Sequence, residues 1–185
     1  MQQNVDLSNY NNKWYKPGGS IVKRALWYFI NWLIINSYLF PFSRIRIWVL
    51  RLFGAKIGRS VVIKPGVNIK YPWNLAIGNF SWIGEGVWID NLDKVDIGNH
   101  VCISQGAFLL CGNHNYKSVN FDLMTAPIHI ASGAWIGAKS VVCPGVKVGS
   151  HAVLTLGSVA TSDLPPYSIY KGNPAHFSKE RNVKN

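Results

Sequence analysis

Residues 130–154, IASGAWIGAKSVVCPGVKVGSHAVL, return to the same kind of residue every six positions. Ile130, Ile136, Val142, Val148 and Leu154 are the aliphatic members, and Ala134, Ser140, Val146, Ala152 and Ser158, four places on from each, are small or Val. Glycine follows the aliphatic at Gly137 and Gly149. A period of six is neither the two of a strand nor the 3.6 of a helix, so it marks a repeat architecture. Outward from this run the same period holds at Ile57, Ile63 and Ile69, at Ile77, Ile83 and Ile89, and at Ile97, Ile103 and Leu109, with eight-residue steps between the triplets. All fourteen positions are Ile, Val or Leu, which chance does not produce. A six-residue unit with one large and one small inward residue makes a short strand and a turn. Three units close a triangular coil, and stacked coils bury an aliphatic column that none could bury alone. The expectation is an all-β solenoid, a parallel β-helix, over residues 57–177.

The repeat breaks once, between Leu110 and Ile128. The intervening CGNHNYKSVNFDLMTAP (loop 110–128) adds nothing to the aliphatic column and carries Asn113, His114, Tyr116, Lys117 and Asp122. Long excursions from a regular scaffold tend to carry function.

With 185 residues, 48% of them hydrophobic and 15% charged, the chain has enough apolar content to fold and room for one core with an appendage. Cys102, Cys111 and Cys143 are odd in number and form no C-x-x-C pair, and no secretion signal opens the chain, so a cytoplasmic setting is expected. Charge is unevenly placed. Residues 1–70 hold eleven Lys/Arg against Asp6 alone, whereas residues 71–185 are nearly neutral.

Residues 1–56 thus read as a basic, aromatic arm, and residues 178–185 as a basic tail. Within the arm, Ala25–Ser43 contains no charge. Ser20 is placed to cap a helix that Pro41 ends, and Ser43 to cap a second that stops at Gly54. Three readings of residues 20–53 stay open: packing on the body or a neighbouring subunit, lying at the inner face of a cytoplasmic membrane, and a short span.

The segments CGNHNY, AWIGAKSVVCPGVKVG and DLPPYSIYKGNPA resemble the O-acetyltransferase branch of the hexapeptide-repeat acyltransferases, which includes galactoside, maltose and xenobiotic acetyltransferases. The aromatic arm and the RLFGAKIG segment extend the likeness, over nearly the whole chain, to the colanic acid biosynthesis acetyltransferases of exopolysaccharide clusters. The resemblance implies a left-handed coil, a homotrimer, and transfer of acetyl from acetyl-CoA to a hydroxyl of a saccharide or saccharide-containing intermediate. A small non-polysaccharide acceptor is the alternative.

It implies further that His114 is the general base, a task suited to imidazole, which titrates near ~6.5 and takes up the proton of a weakly nucleophilic alcohol. By the same resemblance, the Ala138 backbone N–H faces the oxyanion. Coenzyme contacts fall to Trp135, Gly137, Leu156, Ala160, Thr161, Lys171, Asn173 and Pro174. Ser162 and His176 stand where the family often has a basic residue, which shifts phosphate binding toward Lys171, Lys179 and Arg181. Acceptor contacts are expected at Asp90, Asn91, Asp93 and Asn113, against the plainer reading that Asn and Asp there serve turns. Trp135 is equally suited to a subunit contact.

Other classes find less support. The related γ-type carbonic anhydrases bind metal through histidines, but His100, His114, His129, His151 and His176 lack such spacing, and no metal is expected. Cys111, three residues from His114, raises a thiol-nucleophile mechanism. A non-catalytic scaffold is the third reading. No nucleic-acid-binding motif is present, so no nucleic-acid partner is expected.

Overall fold

The computed structural model describes residues 4–184. The repeat winds into a left-handed parallel β-helix of triangular section, whose three sheets form its faces. Face one stacks Lys56–Ile57, Leu75–Ile77, Val95–Ile97, Ile128–Ile130 and Lys147–Val148. Face two stacks Val62–Ile63, Trp82–Ile83, Cys102–Ile103, Trp135–Ile136, Val153–Leu154 and Ser168–Lys171, and His176–Glu180 closes its end antiparallel. Face three stacks Asn68–Ile69, Trp88–Asp90, Phe108–Leu110, Val141–Val142 and Val159–Ala160.

The register follows the sixfold repeat. Ile57, Ile77, Ile97, Ile130 and Val148 pair up face one. Ile63, Ile83, Ile103, Ile136 and Leu154 do so on face two, and Ile69, Ile89, Leu109 and Val142 on face three. All fourteen aliphatics are buried, each contributing about 1.5–3 kcal/mol of transfer free energy. Coils approach so closely at one edge that a Cβ on Gly137 would lie 2.5 Å from the Leu156 amide nitrogen. Only glycine fits there.

A β-helix leaves an open first coil with unpaired backbone groups, a liability shared with any sheet edge. The arm covers it with two helices, α1 (Ile21–Ile30) and α2 (Ser43–Leu52). Trp27 donates its indole N–H to the Ile69 carbonyl, and Asn31 accepts from the Ile69 amide. Arg51 donates to the Ile57 and Gly58 carbonyls, and the Ser43 hydroxyl accepts from the Ile63 amide.

Two expectations change. Ser20 caps α1 as expected, its hydroxyl accepting from the Lys23 amide, but the helix passes into a π-helical turn at Asn31–Ile35 and ends well before Pro41. The Asn31 side chain is engaged with Asn68 and Ile69, anchoring the point where the helix widens. Ser43 is the first residue of α2, not its cap, because its hydroxyl is committed to the prism. Gly54 ends α2 at φ +102°, as the sequence predicts.

Among the described residues no helix is long and apolar enough to cross a membrane. The arm is partly packed on the body, through Trp27, Ile35, Val49 and Leu50, yet Tyr28, Phe29, Trp32 and Trp48 remain exposed.

Candidate active site

His114 stands on the edge between faces three and one, where the break in the repeat becomes an antiparallel hairpin of Gly112–His114 with Leu123–Thr125. The hairpin tip closes on itself: Asn115 donates its amide to the Asp122 carbonyl and the Ser118 hydroxyl donates to the Asp122 carboxylate at 2.7 Å. Asn113 accepts the His114 amide at 2.8 Å, so its side chain sets the local backbone while remaining exposed.

The imidazole is held on two sides. Its ring stacks on Phe121, centroids 4.4 Å apart and planes 7° from parallel, and Tyr10 leans on it at 5.8 Å. Nδ1 lies 2.9 Å from the Phe121 carbonyl oxygen. A carbonyl only accepts, so Nδ1 carries the proton in the neutral ring and Nε2 keeps its lone pair. That is the tautomer of a general base.

Residues 4–19 form a strap along this edge. The Asp6 amide donates to the Val119 carbonyl at the hairpin tip, Tyr15 donates its phenol to the Leu92 carbonyl at 2.7 Å, and Trp73 donates its indole N–H to Pro17. Between strap and prism lies a cleft of about 450 Å³ lined by Tyr10, Asn12, Tyr15, Arg24, Lys70 and His114 among others. Burial, with Tyr71 and the Asp90 carboxylate nearby, drives the Tyr15 phenol far above its usual range, so it remains a donor. The strap was missed in the sequence. Its aromatics carry no periodicity, and only the fold brings them to His114.

The residues expected around an acceptor divide. Asp90 is 7% exposed and pairs with Lys70 Nζ at 2.9 Å, so it reaches the cleft only through that lysine. Asn91 does not face an acceptor: it is fully buried, and its amide accepts from the Tyr71 amide and donates to the Tyr71 carbonyl. The side chain clamps one widened corner to the next. Asp93 accepts the Lys94 amide, which is turn chemistry.

The coenzyme candidates gather elsewhere, mostly on the edge between faces two and three. Ala138 lies there, and its N–H donates to no group among the described residues, while its carbonyl accepts from the Gly157 amide. Leu156, highly exposed at 78%, lies one coil on, and Lys171, Asn173 and Pro174 follow, all exposed. Trp135 projects from face two, its indole donating to Ser104 Oγ at 2.9 Å.

Three of the expected residues have structural partners of their own. Gly137 is buried, with its N–H donated to Leu154 and its carbonyl accepting from Ser140, so it spaces the coils. The Ala160 side chain points into the core at 1% exposure and its carbonyl accepts from Cys143. Arg181 donates to the Gly133 and His151 carbonyls at the third edge, away from the KGNPA turn. Thr161 is exposed, at the far end of face three.

Within one chain, then, His114 and Ala138 occupy opposite edges of face three. The strand Phe108–Leu110 between those edges alone spans about 10 Å at ~3.3 Å per residue. Cys111 is fully buried and its thiol is pushed up to about 12, chiefly by desolvation, which keeps it protonated and unreactive. Among the described residues no group of three His, Cys, Asp or Glu could hold a metal ion.

No protein-family model matches the chain. The Escherichia coli K12 protein provisionally named colanic acid biosynthesis acetyltransferase WcaF is 37% identical over 176 residues, 95% of this chain and 97% of its own length. The galactoside O-acetyltransferase of the same organism is 30% identical over 131 residues, 69% of this chain and 64% of its own. A solved galactoside acetyltransferase in complex with coenzyme A superposes with a TM-score of 0.77 at 26% identity, covering 87% of this chain and 82% of that one. A hexapeptide-repeat acetyltransferase from Vibrio cholerae shares the fold, with a TM-score of 0.80 at 22% identity over 88% and 92% of the two chains. With the repeat, the extruded histidine hairpin and a near full-length relative in agreement, the chain belongs to the hexapeptide-repeat acetyltransferases.

Proposed function

We propose that the protein transfers acetyl from acetyl-CoA to a hydroxyl of a saccharide used in exopolysaccharide or surface polysaccharide synthesis. The observation that carries this reading is His114 itself, with Nδ1 against the Phe121 carbonyl and Nε2 left basic beside a cleft. Nε2 takes the proton of the sugar hydroxyl as its oxygen attacks the thioester carbon. The carbonyl electrons move onto oxygen, where a backbone N–H stabilises the charge. Collapse of the tetrahedral species breaks the C–S bond, and the imidazolium returns its proton to the departing coenzyme thiolate. The proton and electron balance closes without another reagent.

The Ala138 N–H suits the oxyanion role only if supplied by a second copy, since His114 of the same chain is an edge away. Joining two different edges of identical prisms is a heterologous contact, and a threefold rotation between copies closes such contacts into a ring. A homotrimer with three sites between neighbouring prisms is the reading we adopt, with coenzyme along the edge of Leu156 and Lys171. The similarity to WcaF, whose name refers to colanic acid biosynthesis, supports the polysaccharide setting.

The test is incubation with acetyl-CoA and a panel of glycosides, with the ester located by mass spectrometry. An acetylated sugar is expected, and His114→Ala should lose ~10²–10⁴ in rate while still binding acetyl-CoA. Turnover like the parent protein in His114→Ala would remove the imidazole from the mechanism.

A further inference from the structure

Two cavities meet at Arg24 and Lys70. On one side is the cleft of about 450 Å³ that contains His114. On the other, a groove of about 420 Å³ runs between the first helix and face three, walled by Trp27, Tyr28, Trp32 and Trp88. Arg24, Lys70 and Tyr71 line both. Among the described residues no carboxylate lines either cavity. Lys70 is paired from behind by Asp90, whose side chain is 10% exposed. Among the described residues Arg24 has no carboxylate partner, and its Nε is buried with no acceptor.

A buried guanidinium nitrogen without an acceptor is costly unless something brings one. A guanidinium and an ammonium at the junction of a polar cleft and an aromatic groove match an anion that links a polar group to a large apolar or planar one. Arginine suits phosphate oxygens through paired N–H donors, and lysine adds a point charge.

Building on the acetyl-transfer reading, we propose that the acceptor is a sugar phosphate ester, with its diphosphate held by Arg24 and Lys70. The sugar would then face His114, and the group beyond the diphosphate would lie along Trp32 and Trp88. That group is either a nucleoside, whose base stacks on the aromatics, or an isoprenoid chain. The diphosphate is common to both, and it takes no part in the chemistry at the hydroxyl.

Calorimetric titration of the full chain, with coenzyme A already saturating so that its own phosphate site is filled, tests the site. The probes are pyrophosphate, UDP and farnesyl diphosphate. Binding is expected for pyrophosphate and more tightly for one of the other two, UDP assigning a nucleotide-linked acceptor and farnesyl diphosphate a lipid-linked one. Arg24→Gln and Lys70→Gln should each weaken that binding about tenfold or more, with Arg24→Lys intermediate and coenzyme affinity unchanged in all three. If no probe binds, or if the Gln variants bind as the parent does, the anion site is wrong. Failure of coenzyme A to bind would instead strike the acetyl-transfer reading, so the two are separable.

Discussion

Phe121 adopts φ +51°, a left-handed conformation that residues other than glycine seldom take, and this turns its carbonyl to His114 Nδ1 while its ring lies flat on the imidazole. One residue thereby sets both the tautomer and the orientation of the imidazole. Cys111, close by in sequence, illustrates the opposite case. Its thiol rises from 9.0 to about 12 because burial disfavours the thiolate. The folded pKa lies above the unfolded one, so the associated stability is complete below about pH 9 and is lost as pH climbs toward 12. Thermal melting should fall across this alkaline window, and by less in Cys111→Ala, which should keep full acetyl transfer. A Cys111→Ala variant with no turnover but intact coenzyme binding would restore the thiol mechanism. His114 was legible in the sequence because it sits in the one break of the repeat. Phe121 was not, since a carbonyl has no sequence signature.

At the level of elements, the arm turned out to be a lid on the open coil, made by side chains that supply what a missing strand would. Its two helices are tied together by Arg46, fully buried, which donates to the Ile35 and Ser37 carbonyls at the end of the π-helical turn. Burial lowers its pKa, and no carboxylate among the described residues pairs with it. Its contribution comes from satisfying carbonyls that the end of the helix leaves open. Arg46→Met keeps the volume but strands those carbonyls, and should lower stability by about 1–3 kcal/mol in a denaturant titration. An unchanged midpoint would show that water serves as well. Helix positions were predicted from Ser20 and Gly54, and both held. The early end at Asn36 and the use of Ser43 as a dock were not predictable, because Asn68, Ile69 and Ile63 are brought near only by coiling.

For the whole molecule, the separation of His114 and Ala138 onto different edges carries the most weight. On the proposed reading one prism holds two unlike half-sites, and catalysis needs a neighbour. Native mass measurement should give three chains per particle, and dilution that dissociates the particle should abolish acetyl transfer. A fully active monomer would overturn the shared site.

The sixfold spacing of Ile, Val and Leu, by itself, determined the solenoid, its register and the position of the extruded histidine, because stacked identical coils turn sequence period directly into spatial column. Tertiary structure alone decided which residues surround that histidine. The strap, the Arg24–Lys70 junction and the burial of Asn91, Gly137 and Ala160 depend on contacts between segments far apart in the chain, and local patterning carries no record of such encounters.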